Sequence, residues 1–492
     1  MFNCRYFPSD PPPNLTSSST FPSIVDKKLA KEASLGRISG PYSYPPLDNM
    51  VFSPLGLQPK KIPGEFRVIH HLSYPRGRSI NDGIPKDCAS VHYASIGQAI
   101  QSIVSLGRGC FLAKTDIKSA FRIVPVHPSN YHLLGFKWRD GFYYDCCLPM
   151  GCSSSCAIFE AISTSLEWII RQKLTNVAVL HVLDDFLFVA ETYKECLFAL
   201  KTFEYICQDI GVPLAPEKTE GPSQALPFVG IYLDCIDMSA SLPVEKITKF
   251  MDCLDSLISK KSATLKQIQS LTGMLNFACG VISPARAFSR RLYDLEIGLS
   301  KPYHHAKISK SVKEDLLVWR NFLKNFNRKS FFLDYKFLSQ HVLRFFTDAS
   351  STIGYGGYFG SHWFSGCWSE QCLRLNIALL EIFPIYIALK LWGPCLSNRC
   401  IMLMSDNMAV VHILNKFTSK EPLIMSIVRL IVHLCMVHNI LIRSTHVLGK
   451  NNCIADMLSR SQEEEMLKKF PHMDARPTIF PHEWELQNLV KL

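Results

Sequence analysis

The chain has 492 residues, of which 47% are hydrophobic and 19% charged, so it is large enough for several folded cores and is not a disordered tail. Lysine and arginine number 53 against 42 aspartate and glutamate residues, which gives a net charge of +11 at pH 7. This charge suits a polyanion such as nucleic acid, although moderate basicity is also common in proteins without such a partner. The 18 cysteines form no C-x-x-C knuckles and no secretory signal follows Met1, which predicts reduced thiols and an intracellular protein, in the cytoplasm or the nucleus.

The N-terminal third begins with a segment of low complexity and continues with basic and apolar elements. Residues 1–45 are rich in proline, serine and threonine and predict a leader or linker that contains one short helix. The segment 51–82 combines turn residues, basic side chains and the strand FRVIHHL, which indicates a hairpin suited to phosphates. Cys110 to Ile117 predicts a strand that ends at Asp116, and the apolar spacing over 153–174 predicts a helix.

Two adjacent carboxylates, Asp184 and Asp185, lie inside the apolar run VAVLHVLDDFLFVA, which predicts two strands joined by a tight turn. Burial of such a pair is unfavourable unless hydrogen-bond donors or metal ions neutralise it, whereas an isolated Asp-Asp is common in solvated turns. One sheet could place Asp116 beside this turn. Three clustered carboxylates would then form a two-metal arrangement, which is suited to nucleotidyl transfer.

The C-terminal half contains a second set of acidic residues. A helical and basic stretch over 246–295 precedes a charged helical connector. The apolar segment 422–442 predicts a buried amphipathic helix and not a membrane span, because arginine and histidine residues interrupt it. Any one acidic residue would by default be a solvated surface group. Four of them follow patterns in the order strand, helix, strand and helix, which indicates a second two-metal site, for hydrolysis: Asp348, Glu381, Asp406 and Asp456.

These motifs resemble those of reverse transcriptases with a ribonuclease H domain. The segments TDIKSAF, LPMG, VLDD, GVPLAPEK and LPFVGIYL are similar to successive polymerase motifs, and their wording is most similar to the DIRS-like, tyrosine-recombinase group of retrotransposons. The resemblance implies an α+β multidomain chain, with a right-hand polymerase of fingers, palm and thumb before a ribonuclease H-like α/β domain. The expected boundaries are 1–45 leader, 46–238 fingers and palm, 239–300 helical thumb-like subdomain, 301–341 connector, 342–461 ribonuclease H and 462–492 tail.

The resemblance also implies roles for individual residues. The polymerase site would hold Mg²⁺ or Mn²⁺ on Asp116, Asp184 and Asp185. The nuclease would hold the same metal on its four carboxylates, with His446 as a further catalytic residue. Taken singly, Phe121 could be a residue of the core, and the implied basic residues Lys61, Arg67 and Lys218 could be surface charges. The implied nucleotide-binding residues are Lys61, Arg67, Phe121, Met150, Gly151 and Lys218.

The implied partners are an RNA template, a DNA primer, the RNA–DNA hybrid and dNTPs, without a membrane. A recombinase and a Gag-like protein from other reading frames are expected as well. Two positions depart from the family pattern, because Met150 stands where glutamine is usual and Val182 where tyrosine is usual. These departures and the lack of a recombinase segment favour an alternative, a catalytically decayed or domesticated nucleic-acid-binding protein. Retention of every metal carboxylate opposes it.

Overall fold

The structure is a computed structural model that describes residues 10–60, 64–325, 329–333, 338–405, 407–446 and 452–490. The chain divides into two compact units. The first lies within residues 1–95 and 109–229, and the second within residues 96–108 and 230–492.

The first unit contains four helices and ten strands among the residues that the structure describes. They are α1 Thr16–Thr20, α2 Pro22–Ser34, β1 Ile38–Tyr42, β2 Leu55–Pro59, β3 Phe66–His70, β4 Phe111–Asp116, β5 Gly135–Trp138, β6 Gly141–Asp145, α4 Ser155–Arg171, β7 Val177–Val182, β8 Asp185–Ala190, α5 Tyr193–Asp209, β9 Glu220–Ser223 and β10 Ala225–Phe228. The intervening helix α3, Ile96–Leu106, belongs to the second unit.

A four-stranded antiparallel sheet, in the order β7-β8-β4-β9, forms the centre of the first unit. Strand β8 is buried over nearly its whole length, because its aromatic and branched residues pack on both faces of the sheet. Helices α4 and α5 pack against this sheet around a core that includes Phe159, Phe186 and Phe203. As the sequence predicts, β7 and β8 form a hairpin, and β4 ends beside the start of β8.

Residues 16–42 of the predicted leader are folded into this unit. Helix α2 packs Val25 and Leu29 against residues of the β2-β3 hairpin and of the antiparallel sheet β1-β6-β5. Strand β1 itself pairs with β6, with Ile38 opposite Asp145. The expected leader or linker therefore contains more folded structure over 16–42 than the one short helix predicted, because β1 and strands remote in the sequence cover its apolar positions.

The second unit is larger and more helical. Its remaining elements are β11 Ile231–Asp234, β12 Ser239–Ser241, α6 Val244–Ser259, β13 Ser262–Thr264, α7 Leu265–Ala278, α8 Arg290–Glu296, β14 His305–Lys307, α9 Lys310–Asn325, β15 Lys329–Phe331, β16 Leu338–Ser339, α10 Gln340–Leu343, β17 Phe345–Ala349, β18 Gly354–Phe359, β19 His362–Cys367, α11 Ile377–Trp392, β20 Cys400–Ser405, α12 Met408–Lys416, α13 Pro422–His438, β21 Leu441–His446, α14 Cys453–Ser459, α15 Glu463–Lys469 and α16 Leu486–Val490.

Two three-stranded sheets support the C-terminal part of this unit. Strands β17, β18 and β19 form an antiparallel meander, whereas β16, β20 and β21 are parallel. Helix α11 is buried along most of its length against β17, β18 and α13. With the short helical turn that follows it, from Ile377 to Leu396, it is long and apolar enough to cross a membrane by length and composition, but 72% of that stretch is buried inside the protein, as in a core helix.

A buried carboxylate, Asp315 in α9, joins three helices of the second unit. Its Oδ1 accepts hydrogen bonds from Arg291 of α8 at 3.2 Å and from Arg429 of α13 at 3.0 Å. Burial raises the pKa of Asp315 to about 6, although the two guanidinium groups oppose this increase. Arg291, part of the basic stretch predicted over 246–295, is thus tied to a carboxylate inside the fold.

Candidate active site

The three carboxylates predicted for the first site lie together at one end of the central sheet. Asp116 ends β4, Asp185 begins β8, and the two residues are directly paired in the antiparallel ladder. Asp184 belongs to the two-residue turn before β8, and its carbonyl oxygen accepts a hydrogen bond from the backbone N–H of Ile117 at 3.0 Å. Asp116 is 5% exposed, and both turn-side aspartates are partly buried. The pairing of β4 with β8 therefore gathers residues that are almost 70 positions apart in sequence.

The electrostatics of this cluster favour a bound cation. Burial and the nearby charges of Asp184 and Asp116 raise the pKa of Asp185 to about 6, and Asp116 also hydrogen bonds to it. Burial and the charge of Asp116 likewise raise the pKa of Asp184. Each ionised carboxylate therefore makes the next one harder to ionise. A cation between them would relieve this repulsion.

Lys218 supplies one positive charge to the cluster. Its Nζ lies 2.7 Å from Asp116 Oδ2, and the lysine side chain is 56% exposed whereas the aspartate side chain is 7% exposed. Partial burial alone would lower the pKa of Lys218, but the hydrogen bond to Asp116 and the charges of Asp116, Asp184 and Asp185 together outweigh it, so the pKa is raised. Lys218 remains a cation at neutral pH and faces the same carboxylates as an incoming ligand would.

A cavity of about 390 Å³ opens in front of Asp116 and Asp184. Its lining includes both carboxylates and a set of basic side chains that can donate to phosphate oxygens. The lysine and arginine side chains of the lining are Lys28, Arg37, Lys60, Arg67, Lys118, Arg122 and Lys218.

The far wall of the cavity is a buried ionic network that the sequence alone does not reveal. Arg122 Nη1 lies 2.7 Å from Asp145 Oδ1, and Arg122 Nε donates to Glu32 Oε2 at 2.9 Å. His70 Nδ1 is 2.9 Å from the other oxygen of Asp145. Burial alone would raise the pKa of Asp145, but Arg122 and His70 hold it below its usual range. The only sequence signal for the network is a charged residue inside each of the apolar segments FRIVPV and FYYDCC.

Comparisons with known proteins agree with this geometry. Residues 58–233 match the family described as "Reverse transcriptase (RNA-dependent DNA polymerase)". The chain contains a reverse transcriptase domain. It is of the type found in retroelement polyproteins, since 233 residues, 47% of the chain, are 26% identical to the Pro-Pol polyprotein of simian foamy virus type 1. The matched region covers 18% of the length of that polyprotein.

Solved structures show the same fold. A foamy viral protease-reverse transcriptase in complex with dsDNA is 17% identical, with a TM-score of 0.53 over 91% of this chain and 87% of that one. A foamy viral protease-reverse transcriptase in complex with an RNA/DNA hybrid is also 17% identical, with a TM-score of 0.53 over 98% of this chain and 59% of that one. The predicted polymerase fold is therefore confirmed, with mixed α and β elements.

Met150 and Gly151 of the reverse transcriptase domain are held close to β3. The backbone N–H of His70 donates to the carbonyl of Met150 at 3.1 Å, and Met150 lines the cavity. Gly151 has a φ of +130°, and a Cβ at this position would lie 2.0 Å from the carbonyl oxygen of His70. Only glycine fits here. In the predicted nucleotide-binding pair, Met150 therefore lines the cavity, and the residue that follows it, Gly151, has no space for a side chain.

The other predicted nucleotide-binding residues have different placements. Arg67 is exposed on β3 and lines the cavity, where its charge acts to lower the pKa of Asp184. Phe121 packs edge-to-face on Phe159, with 5.6 Å between the ring centroids. It is not one of the described residues that line the cavity, so its role in nucleotide binding stays a prediction. Lys61 lies outside the described residues.

A second group of carboxylates lies in the C-terminal part of the second unit. Asp348 is in β17, and its Oδ2 accepts a hydrogen bond at 2.7 Å from the hydroxyl of Ser459 at the end of α14. Asp456, one turn earlier in α14, accepts from Arg460 Nε at 2.8 Å. The hydrogen bond and charge of Asp456 raise the pKa of Arg460, and the charge of Asp348 adds to the effect. Packing of α14 on β17 and β18 brings these two predicted ligands together.

The remaining predicted residues of this group are less completely described. Glu381 lies on α11, as predicted, and its Oε1 accepts from Asn407 Nδ2 at 3.2 Å. Asp406, between β20 and Asn407, lies outside the described residues. His446 ends β21 and is paired in register with Ser405. Sequence analysis missed Ser459 and Arg460, although both lie within four residues of Asp456 in the segment IADMLSR.

Neither group forms a finished metal cage in the part of the chain that the structure describes, where no three His, Cys, Asp or Glu side chains are arranged to hold an ion. The donor chemistry nevertheless fits a hard divalent cation, because carboxylate oxygens are the ligands that Mg²⁺ and Mn²⁺ favour. In the first group, burial and neighbouring carboxylates raise the pKa values of Asp184 and Asp185, although the charge of Lys218 opposes the increase.

Proposed function

We propose that the chain is an RNA- and DNA-directed DNA polymerase with ribonuclease H activity that replicates a retrotransposon. One observation carries the polymerase half: Asp116 and Asp185 are cross-strand partners beside Asp184, at a cavity with a basic lining. Fold similarity to a foamy viral enzyme that binds an RNA/DNA hybrid supports the choice of nucleic acid. RNA template, DNA primer and dNTPs are the proposed substrates.

The cavity residues would orient the incoming nucleotide. Arg67 would donate to triphosphate oxygens, and Lys60 would do so once it leaves Glu65, which its Nζ contacts at 2.8 Å, since basic side chains match phosphate charge and geometry. Lys218, charged and beside Asp116, is placed to donate a proton to a leaving pyrophosphate. For catalysis its contact with Asp116 must open, which frees one carboxylate oxygen.

Asp116, Asp184 and Asp185 would hold Mg²⁺ or Mn²⁺. Divalent ions at such a site lower the pKa of an attacking 3′-hydroxyl and stabilise the charge of the leaving group. The contribution of the protein is to keep the three carboxylates close despite their repulsion, through the β4-β8 ladder and the Ile117 hydrogen bond.

The nuclease half rests on the second group of carboxylates. The packing of α14, which carries Asp456, on β17, which carries Asp348, supports a shared site, and Glu381 lies on α11, which also packs on β17. With Asp406, they would hold the ions that activate water for phosphodiester hydrolysis, and His446 would assist product departure. We propose that this domain removes the RNA strand of the hybrid after it has been copied.

The test is a double dissociation with the full chain. Wild-type protein is given a DNA primer on an RNA template with dNTPs and Mg²⁺, and hybrid cleavage is followed in the same reactions. Asp184→Asn and Asp185→Asn should each lower primer extension at least about 100-fold and leave hybrid cleavage intact, because each removes a charged ligand. Asp348→Asn and Asp406→Asn should do the opposite.

The outcomes separate the proposal from its alternative. Extension by the wild type that persists in Asp185→Asn would assign the chemistry to other residues. Tight hybrid binding without Mg²⁺-dependent turnover in a folded wild type would favour the decayed, binding-only protein. Thermal melting of every variant shows whether the loss is local.

We further propose the DIRS-like group as the source of the domain, from the wording of its motifs, and an intracellular location. The helical segment 239–300 would act as the thumb, and 301–341 as the connector. A tyrosine recombinase and a Gag-like protein encoded beside this reading frame would be partners. Sequencing the flanking DNA tests this, since an integrase in place of the recombinase would contradict it.

A further inference from the structure

A buried polar cluster lies directly beneath the turn that carries the Asp-Asp pair. Glu160 of α4 and His181 of β7 have side chains that are only 12% and 7% exposed, and their neighbours are the apolar residues of the central core. A carboxylate in such surroundings is unfavourable unless its oxygens are satisfied. Neither residue belongs to the motifs that the polymerase function uses.

One oxygen of Glu160 holds the turn itself. The backbone N–H of Leu183 donates to Glu160 Oε2 at 3.2 Å. Leu183 has a φ of +55°, which is unfavourable for a residue with a side chain, and it is the first residue of the two-residue loop between β7 and β8. The next residue is Asp184. A backbone in this conformation persists only when its surroundings hold it.

The other oxygen of Glu160 lies close to His181. The imidazole Nε2 lies 3.2 Å from Glu160 Oε1, an ion-pair contact without good hydrogen-bond alignment. His181 Nδ1 contacts Glu167, which lies two turns after Glu160 on α4. Glu167 Oε1 in turn pairs with Arg171 Nη2 at 2.7 Å. Glu160 therefore lies between the turn and a series of polar side chains that continues through His181 and Glu167 to Arg171.

The turn is thus held from two sides. On one side the backbone N–H of Ile117, just after Asp116, donates to the carbonyl of Asp184 at 3.0 Å. On the other side Glu160 accepts from Leu183. The two bonds bracket the peptide between Leu183 and Asp184, whose orientation determines where the Asp184 and Asp185 carboxylates point relative to Asp116.

We propose that Glu160 is a positioning residue of the polymerase site, which sets the direction of the Asp184 and Asp185 carboxylates through the strained turn at Leu183. This inference rests on the proposed polymerase function. It assigns to a buried helix residue, outside the metal-binding motifs, control over how well the carboxylates hold Mg²⁺.

The test compares Glu160→Ala, which removes the acceptor, with Glu160→Gln, whose amide oxygen can still accept from Leu183. Ser163→Ala is the matched control, because Ser163 is fully buried on the same helix, one turn away, and is not bonded to the turn. Three quantities are measured on the full chain: amide hydrogen exchange of peptides spanning 182–187, the Mg²⁺ concentration that half-protects these peptides, and kcat for primer extension.

Glu160→Ala should exchange faster in the turn, need about 10-fold more Mg²⁺ for protection and lose about 10-fold in kcat, as when an outer partner of a metal ligand is removed. Glu160→Gln and Ser163→Ala should match the wild type in Mg²⁺ requirement, even if their melting temperatures fall. A purely structural role would lower stability without moving the Mg²⁺ midpoint.

The proposal is overturned if Glu160→Ala keeps the wild-type exchange or the wild-type Mg²⁺ midpoint, or if Glu160→Gln is as impaired as Glu160→Ala. Failure of the wild type to extend primers would refute the proposed function. Exchange and its Mg²⁺ dependence, which need no turnover, would still decide the role of Glu160.

Discussion

Replacement of Asp185 by asparagine should stabilise the reverse transcriptase domain while it abolishes primer extension. The pKa of Asp185 is raised from 3.8 to about 6 in the folded protein, first by burial and then by the charges of Asp184 and Asp116. A raised pKa means that the folded state holds this proton more tightly than the unfolded state. The contribution of Asp185 to stability is therefore most favourable below pH 3.8, decreases as the pH rises from 3.8 through 6, and carries the full penalty at neutral pH.

The size of the effect follows from that difference. About 2 pH units at about 1.4 kcal/mol each give about 3 kcal/mol as an upper limit. Asp185 is partly exposed, and screening by water reduces this value to about 1–2 kcal/mol. Asp185→Asn, which keeps the shape of the side chain and removes its charge, should recover this amount at pH 7.5 and much less of it at pH 4.5.

The assay is urea unfolding followed by hydrogen exchange of peptides from β7 and β8, which reports on this sheet and not on the second unit. Asp209→Asn, at the exposed end of α5, is the control for loss of one negative charge. Mg²⁺ should stabilise the wild type and have less effect on Asp185→Asn. A variant that is less stable than the wild type at pH 7.5 would refute the idea that the clustered carboxylates repel one another.

Three further outcomes are expected. Lys218→Met should lower kcat for primer extension about 10-fold or more, because it removes a general acid, and should lower the solvent deuterium isotope effect on kcat; an unchanged isotope effect would contradict the acid role. Ser459→Ala removes a hydroxyl that donates to Asp348, a carboxylate of the proposed nuclease site, and should slow hybrid cleavage about 10-fold without affecting synthesis, as separate assays on one preparation would show. Arg429→Met leaves Asp315 with one guanidinium fewer in a buried site and should destabilise the second unit by about 3 kcal/mol, measured by denaturant unfolding, whereas a neutral effect would mean that Arg291 suffices.

Sequence analysis predicted the elements whose information is local. The apolar run around Asp184 and Asp185 gives the β7-β8 hairpin directly, because branched and aromatic residues favour strands and two residues suffice for the turn. The strand that ends at Asp116 and helix α4 were predictable for the same reason. Even the meeting of Asp116 with Asp185 followed, since adjacent strands of one sheet leave few alternatives.

What escaped prediction depends on pairs that are distant in sequence. Arg122 and Glu32 are 90 residues apart, and nothing in either local segment indicates the other. Glu160 appears in the sequence as one polar residue in an amphipathic helix, and its contact with the strained Leu183 is visible only in three dimensions. The segment 16–42 looked like a linker because its few apolar residues join a hydrophobic core only when strands from other parts of the chain pack against them.

The ionic network of Arg122, Asp145 and Glu32 bears on how the reverse transcriptase domain can be produced as a fragment. The matched domain begins at residue 58, but Arg122 relies on Glu32, and α2 covers β2 and β5 with Val25 and Leu29. A polypeptide cut at the start of the match would leave a buried guanidinium with one of its two carboxylate partners and expose an apolar surface to aggregation. A fragment that begins before Thr16 keeps both, and its yield of folded monomer should exceed that of the shorter piece.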